Sequence, residues 1–97
     1  MPERKPKLTL RFGGQEIVVP LLVKETLIGR LDSNHVVIDD ASVSRIHAKI
    51  ELNGEGAEIA DCGSSTGTQV NGELVDRVRL TPGDVVKLGS VTIIYSE

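Results

Sequence analysis

Cysteine and aromatic residues are nearly absent from this sequence of 97 residues, which has one cysteine and only 2% aromatic side chains. A single cysteine excludes a disulfide within the chain and favours a reducing compartment, so we expect a cytoplasmic protein. The scarcity of aromatics leaves the core to Val, Ile and Leu. No apolar run approaches the about 20 residues of a transmembrane helix, and we expect no membrane partner.

The chain also lacks a dominant positive charge. Its formal net charge is −3, from 11 Lys and Arg against 14 Asp and Glu. Domains that bind nucleic acid usually carry a basic patch, so we expect no nucleic-acid partner and only a local cluster of cations at any anion site. The length predicts one domain. We assign the polar residues 1–7 to a disordered N-terminal lead-in and residues 8–97 to the domain.

Catalytic and metal-binding motifs are missing as well. His35 and His47 have no cysteine or third histidine at ligand spacing, so we expect no metal and no cofactor. The sequence has no Walker loop and no Gly-x-Ser-x-Gly motif, and the spacing of its residues does not support a Ser-His-Asp triad. We therefore expect a protein that is not an enzyme.

What the sequence does contain is an alternation of apolar and polar residues with a period of two. It runs through residues 8–12 and 46–52, which predicts strands with one face on a core and the other in water. In the second segment this alternation places His47 on the opposite face from Ile46 and Ile50. Shorter β-branched runs lie at residues 17–19, 36–38, 85–88 and 91–95.

Turn-forming residues separate these runs. Three pairs typical of tight β-hairpins are Gly13-Gly14, Asn53-Gly54 and Asn71-Gly72. The Thr-Pro-Gly-Asp sequence at residues 81–84 is typical of a turn. Together these signals predict an all-β fold, an antiparallel β-sandwich of about ten to eleven short strands. Residues 39–45 and 61–67 are rich in small polar side chains, and we expect them to form binding loops at one end.

Several short motifs, in their order and spacing, resemble the forkhead-associated (FHA) domain. They are Gly29-Arg30, Ser44-Arg45-Ile46-His47, the stretch from Asp61 to Thr68, Asn71-Gly72, residues 80–84 and Leu88-Gly89. The resemblance covers nearly the whole chain, from about residue 8 to residue 95. It implies a β-sandwich that binds phosphothreonine in a partner protein during signalling. The partner it implies is a Ser/Thr kinase or the substrate of one.

The same resemblance implies roles for individual residues. Arg30 would contact the phosphate, Ser44 would donate its hydroxyl to it, and Arg45 would add a second charge. Ser65 and Thr66 would hold the peptide. The family commonly has asparagine in place of Thr66, and a threonine hydroxyl reaches less far than an asparagine amide. Residues implied to support the loops without touching the ligand are Gly29, His47, Gly67 and Asn71.

Elementary chemistry agrees with these roles. A phosphothreonine carries about −1.5 to −2 charges and three strong acceptor oxygens. The planar fork of arginine matches phosphate geometry better than lysine does. Two other functions stay open. One is a phosphorylation-independent interaction or assembly domain on the same fold, which exposed apolar residues on a sheet face would favour. The other is an enzyme, to which no motif points.

Overall fold

The computed structural model describes residues 5–97, which form eleven β-strands. The strands are β1 (Lys7–Phe12), β2 (Gln15–Pro20), β3 (Glu25–Gly29), β4 (Val36–Val37), β5 (Ala48–Asn53), β6 (Gly56–Asp61), β7 (Thr68–Val70), β8 (Glu73–Val75), β9 (Arg77–Leu80), β10 (Val85–Leu88) and β11 (Val91–Ser96). Residues 1–4 of the predicted lead-in lie outside the described residues. Lys7 already belongs to β1, and the Leu21 amide donates a hydrogen bond to the Pro6 carbonyl at 2.9 Å.

The strands form two sheets that enclose one apolar core. The six-stranded sheet has the order β2-β1-β11-β10-β7-β8, and the five-stranded sheet has the order β4-β3-β5-β6-β9. The predicted all-β sandwich is therefore confirmed. One neighbouring pair differs from the antiparallel prediction, since β3 and β4 run parallel with Ile28 opposite Val36. The cause is the loop at residues 30–35, which returns the chain beside Ile28 without a hairpin.

The three predicted hairpins connect β1 to β2, β5 to β6 and β7 to β8, but the two-residue loop of the second is Gly54-Glu55, one residue later than predicted, because Asn53 pairs with Gly56. In the last of these, Val70 lies opposite Glu73, and Asn71 and Gly72 both have positive φ angles, of 51° and 87°. A two-residue type I′ turn requires positive φ at both positions, which asparagine and glycine tolerate best. The turn chemistry of Asn71-Gly72 thus fixes the register of β7 against β8.

The predicted alternation through residues 46–52 is wrong at its start. β5 begins at Ala48, while Ile46 is 43% exposed and His47 is fully buried. The backbone before β5 follows the turn around Ser44, and the His47 amide donates to the Ile28 carbonyl at 2.8 Å. A polar ring can be buried here because both of its nitrogens have hydrogen-bond partners. From Ala48 to Ile50 the alternation holds.

No helix among residues 5–97 has the length and apolar character needed to cross a membrane.

Candidate functional site

An open cleft lies at one end of the sandwich, where residues 39–45 and 61–67 approach the end of β3. It has a volume of about 360 Å³, and its lining residues are Arg30, Ala41, Val43, Ser44, Arg45, Ile46, Gly63 and Ser65. The structure therefore brings together four of the five residues predicted to bind a phosphopeptide. The fifth, Thr66, follows Ser65 in the same loop and lies outside the lining set.

Arg30 is the residue directly after β3, and it lines the cleft. Its Nε donates to the Val43 carbonyl at 2.7 Å, and its amide donates to the Ser44 carbonyl at 3.1 Å. Within the described part of the chain the guanidinium makes no other hydrogen bond, so both terminal nitrogens stay available. Those two nitrogens can donate hydrogen bonds to two oxygens of one phosphate.

Gly29 permits the close contact between β3 and the Ser44–Arg45 backbone. A Cβ atom at this position would lie 2.2 Å from the Arg45 carbonyl oxygen and 2.9 Å from Asn34 Nδ2. That carbonyl oxygen accepts hydrogen bonds from Asn34 Nδ2 at 2.7 Å and from the Leu31 amide at 3.2 Å. Without a side chain at residue 29, the backbone of Arg45 is held directly against the strand that carries Arg30.

His47 connects the two loops of the cleft from below. Its Nδ1 accepts a hydrogen bond from the Ser44 amide at 3.0 Å, and its Nε2 lies 2.8 Å from the Gly67 carbonyl oxygen. Because Nδ1 accepts and the carbonyl can only accept, the ring is neutral and carries its proton on Nε2. The buried imidazole therefore fixes the spacing between Ser44 and the beginning of β7.

The hydroxyl of Ser44 is positioned to donate into the cleft. Its Oγ accepts a hydrogen bond from the Ser65 amide at 3.0 Å and lies 3.2 Å from Ser65 Oγ. Either hydroxyl can donate in this pair, and when Ser65 Oγ is the donor the single proton of Ser44 can point to a bound anion. Thr66 behaves differently: its Oγ1 donates to the Ser42 carbonyl at 3.1 Å, which leaves only acceptor capacity for a ligand.

Asp61, which the sequence reasoning did not select, organises the loop that carries Ser65. Its Oδ2 accepts from the amides of Gly63 and Ser64 at 3.0 and 3.1 Å. Its Oδ1 accepts from Ser64 Oγ at 2.5 Å and Thr68 Oγ1 at 2.7 Å. Burial raises the pKa of Asp61, but these hydrogen bonds outweigh burial and hold it below the ordinary 3.8. Serine and threonine at three and seven positions after an aspartate are the signal that could have identified it.

A second cluster, also not predicted, fastens the other loop to the β10–β11 turn. Asp40 Oδ1 accepts from the amide and hydroxyl of Ser42 at 2.9 and 2.5 Å. The Ser90 amide donates to Ser42 Oγ at 2.9 Å, and Ser90 Oγ donates to Asp40 Oδ2 at 3.2 Å. The hydrogen bond from the Ser42 side chain is the main cause that lowers the pKa of Asp40. We call Asp40, Ser42 and Ser90 the serine clamp.

Asn71 supports a loop that is remote from the cleft. It follows β7 at the end opposite Gly67, where its Nδ2 donates to Asp84 Oδ1 at 3.0 Å and its Oδ1 accepts from the Val85 amide at 3.0 Å. Asn71 therefore joins the β7–β8 turn to the turn before β10. It does not contact the loops that form the cleft.

The charge of the cleft contrasts with that of the chain. Its lining side chains carry two positive charges, from Arg30 and Arg45, and among the described residues no carboxylate lines it. Residues 5–97 also contain no cluster of three His, Cys, Asp or Glu side chains that could hold a metal ion. The arrangement offers guanidinium, hydroxyl and amide donors to a small anion with several acceptor oxygens.

The fold and this cleft define a β-sandwich recognition domain whose end loops present paired arginine and serine donors. Comparison with known proteins identifies the particular family: the model of the FHA domain matches residues 26–89. The chain belongs to the FHA domain family.

Similar proteins are found among regulators and among solved FHA domains. The chain is 39% identical over 70 residues to the glycogen accumulation regulator GarA of Mycolicibacterium smegmatis, covering 72% of the chain and 44% of that protein. It is 33% identical over 96 residues to the oxoglutarate dehydrogenase inhibitor of Corynebacterium jeikeium, covering 98% of the chain and 67% of that protein. A structure solved in work on phosphothreonine-dependent FHA domain interactions has a TM-score of 0.85 and 34% identity, over 94% of this chain and 96% of that one.

Proposed function

We propose that this chain is a phosphothreonine-dependent peptide-binding module that recruits a phosphorylated partner protein in signalling. The observation that carries the proposal is the convergence of Arg30, Ser44 and Arg45 on one open cleft. Membership of the FHA family and the likeness to an FHA domain studied for phosphothreonine-dependent interactions support it. In this proposal the module is not catalytic and acts in the cytoplasm. Its partner is a Ser/Thr kinase or the substrate of one.

In the proposed complex, the free terminal nitrogens of Arg30 bind two phosphate oxygens and the Ser44 hydroxyl donates to the third. Arg45 contributes a second positive charge from the exposed side of the cleft. Ser65 and the acceptor oxygen of Thr66 bind polar groups of the peptide backbone. Each charge-assisted hydrogen bond contributes about 1.5–3 kcal/mol, and ordering the peptide offsets part of the sum. The expected affinity is micromolar, which corresponds to about −8 kcal/mol.

Replacement of Arg30 tests this function. Arg30→Ala removes about 2–3 kcal/mol of interaction with the phosphate, so we expect phosphothreonine peptides to bind roughly 30- to 150-fold more weakly. Isothermal titration calorimetry with a degenerate phosphothreonine peptide pool, followed by single peptides, measures the change. Arg79→Ala is the matched control, because Arg79 is an exposed arginine of β9 that pairs with Glu55 at 2.8 Å and lies outside the cleft.

The unphosphorylated peptide and its phosphoserine form complete the test. The unphosphorylated peptide is expected not to bind, and the phosphoserine form to bind more weakly than the phosphothreonine form. Equal binding of phosphorylated and unphosphorylated peptides would show a phosphorylation-independent interaction domain. Unchanged affinity of Arg30→Ala for the phosphothreonine peptide would refute the proposed phosphate site.

A further inference from the structure

The outer face of the six-stranded sheet carries an apolar row that no part of residues 5–97 covers. The strand register places Val18 beside Thr9, Thr9 beside Ile94, and Ile94 beside Val85. These four neighbours cross β2, β1, β11 and β10 in a line perpendicular to the strands. Val18 is 55% exposed and Val85 is 38% exposed, while Thr9 and Ile94 are half-buried between them. Three of these residues are aliphatic, and Thr9 carries a methyl group beside its hydroxyl; we call the four residues the apolar row.

The outer face of the five-stranded sheet has no comparable row. Its exposed surface is built from ion pairs that the sheet itself satisfies. Lys49 lies 3.4 Å from Glu51, and Arg77 contacts both Glu51 and Glu58. The two outer faces therefore differ: the five-stranded sheet exposes ion pairs to solvent, and the six-stranded sheet exposes β-branched side chains. A contiguous apolar strip with a polar rim is typical of an interaction site.

Cations flank the apolar row on both sides. Lys7 lies two residues before Thr9 along β1, and Lys87 lies two residues after Val85 along β10, on the opposite side of the row. Both lysines are exposed and have no ion-pair partner among residues 5–97. Arg11 lies on the same side as Lys87 and pairs with Glu16 at 3.0 Å. On these four strands the outer face thus carries three cations and one carboxylate, although the whole chain has a net charge of −3.

The dimensions of this face fit a helix. Adjacent strands lie about 4.8 Å apart, so the row extends roughly 14 Å from Val18 to Val85. Ten helical residues cover about 15 Å, which allows apolar side chains at three successive turns to follow the row. Two strand residues span about 7 Å, and a helix with its side chains is about 10–12 Å wide, so its two flanks reach Lys7 and Lys87. A second copy of this face would instead oppose cations with cations.

We propose that the outer face of the six-stranded sheet is a second docking surface, which binds an amphipathic helix whose apolar stripe is flanked on both sides by acidic residues. The surface is separate from the phosphate cleft, because Val85 lies at the end of β10 remote from Gly89 and Ser90. A partner protein can therefore occupy both surfaces at once. Two contacts joined by one chain would raise the effective concentration of each, and with it the overall affinity.

The probe for this proposal is a synthetic helical peptide of about 14 residues with a leucine stripe flanked by glutamates. Matched peptides carry glutamine or lysine in place of glutamate. Titration into ¹⁵N-labelled protein, followed by NMR, should shift the amide signals around Thr9, Ile94 and Val85. The expected order of affinity is glutamate, then glutamine, then lysine. Val18→Ser combined with Val85→Ser should weaken binding about tenfold or more, with phosphothreonine binding unchanged.

Three controls make the test decisive. Val37→Ser alters a valine that is 43% exposed on β4 of the five-stranded sheet, and should leave helix binding unchanged. Arg30→Ala should also leave it unchanged, and loss of binding in that variant would place the acidic peptide in the phosphate cleft and overturn the proposal. Absence of binding by all three peptides at millimolar concentration would overturn it too. So would retention on phosphatidylserine vesicles that requires Lys7 and Val18, which would assign the face to an anionic lipid surface.

Discussion

Asp61→Asn tests how much the Asp61 carboxylate, which organises the loop at residues 61–67, contributes to the stability of the domain and to its affinity for phosphopeptide. The asparagine keeps one carbonyl oxygen for the hydroxyls of Ser64 and Thr68, but its amide group faces the backbone N–H groups of Gly63 and Ser64. Two charge-assisted hydrogen bonds are lost, each worth about 1.5–3 kcal/mol. Hydration of the half-buried loop compensates for part of this lost stabilisation. We expect a net loss of about 2–4 kcal/mol at neutral pH. For a domain of this size the thermal midpoint falls by about 10–20 °C.

Circular dichroism melts across pH measure this change and test its cause. The folded-state pKa of Asp61 lies below the ordinary 3.8, so its stabilisation is complete above that value and is lost as pH falls through the lower, folded-state pKa. The gap between wild type and variant should therefore narrow in acid. Phosphothreonine binding should also weaken, since Ser65 belongs to the same loop. Asp76→Asn is the control, because Asp76 is an exposed aspartate directly after β8 and contacts the Asp61 amide through its backbone carbonyl rather than its side chain. A variant that melts within about 2 °C of wild type at neutral pH refutes this account of Asp61.

Two further outcomes are expected. Gly29→Ala places a methyl group 2.2 Å from the Arg45 carbonyl oxygen, so the Ser44–Arg45 backbone must move and phosphopeptide affinity should fall at least about tenfold; an unchanged calorimetric titration would contradict this. Binding of wild type should weaken between about pH 7 and pH 5, because the second phosphate pKa lies near 6 and protonation removes a charge from the ligand. Asp40 and Asp61 stay ionised in this range, since the pKa of each is lowered from 3.8. Affinity that is independent of pH would argue against a dianionic ligand.

Much of the fold could be predicted from local patterns. Period-two alternation in β1 and the hairpin pairs are short-range signals, and β1 and the turns at Gly13-Gly14 and Asn71-Gly72 lie where the sequence places them. β6 was not predicted, because its sequence, Gly-Ala-Glu-Ile-Ala-Asp, is poor in β-branched residues. It forms a strand because it pairs with β5 and β9 on either side. His47 was assigned to the wrong face because its burial depends on two backbone partners, at Ser44 and Gly67, that periodicity does not contain.

In the candidate site as well, local motifs identified some residues, while residues that depend on long-range contacts were missed. The residues that line the cleft were named through short motifs with a fixed order, and the structure places Arg30, Ser44, Arg45 and Ser65 around one space. Of the residues that hold the loops, Gly29 and His47 were named from the motifs, whereas Asp61 and the serine clamp were missed. The contact between Ser42 and Ser90 joins positions that are 48 residues apart, and no local pattern marks such a pair. Asn71 shows the converse, a motif residue whose partner Asp84 lies away from the cleft.

The serine clamp ties a loop that follows the five-stranded sheet to a turn of the six-stranded sheet. Gly89 makes this contact possible, since a Cβ atom there would lie 2.4 Å from the Ser42 carbonyl oxygen. Movement of the loop at residues 39–45 away from the β10–β11 turn would therefore break the hydrogen bonds of the serine clamp. We expect the Ser90 amide, which donates to Ser42 Oγ, to exchange its hydrogen more slowly in the wild type than in Ser42→Ala. A loop that is held by such contacts before the ligand arrives favours association limited by diffusional encounter rather than by loop closure.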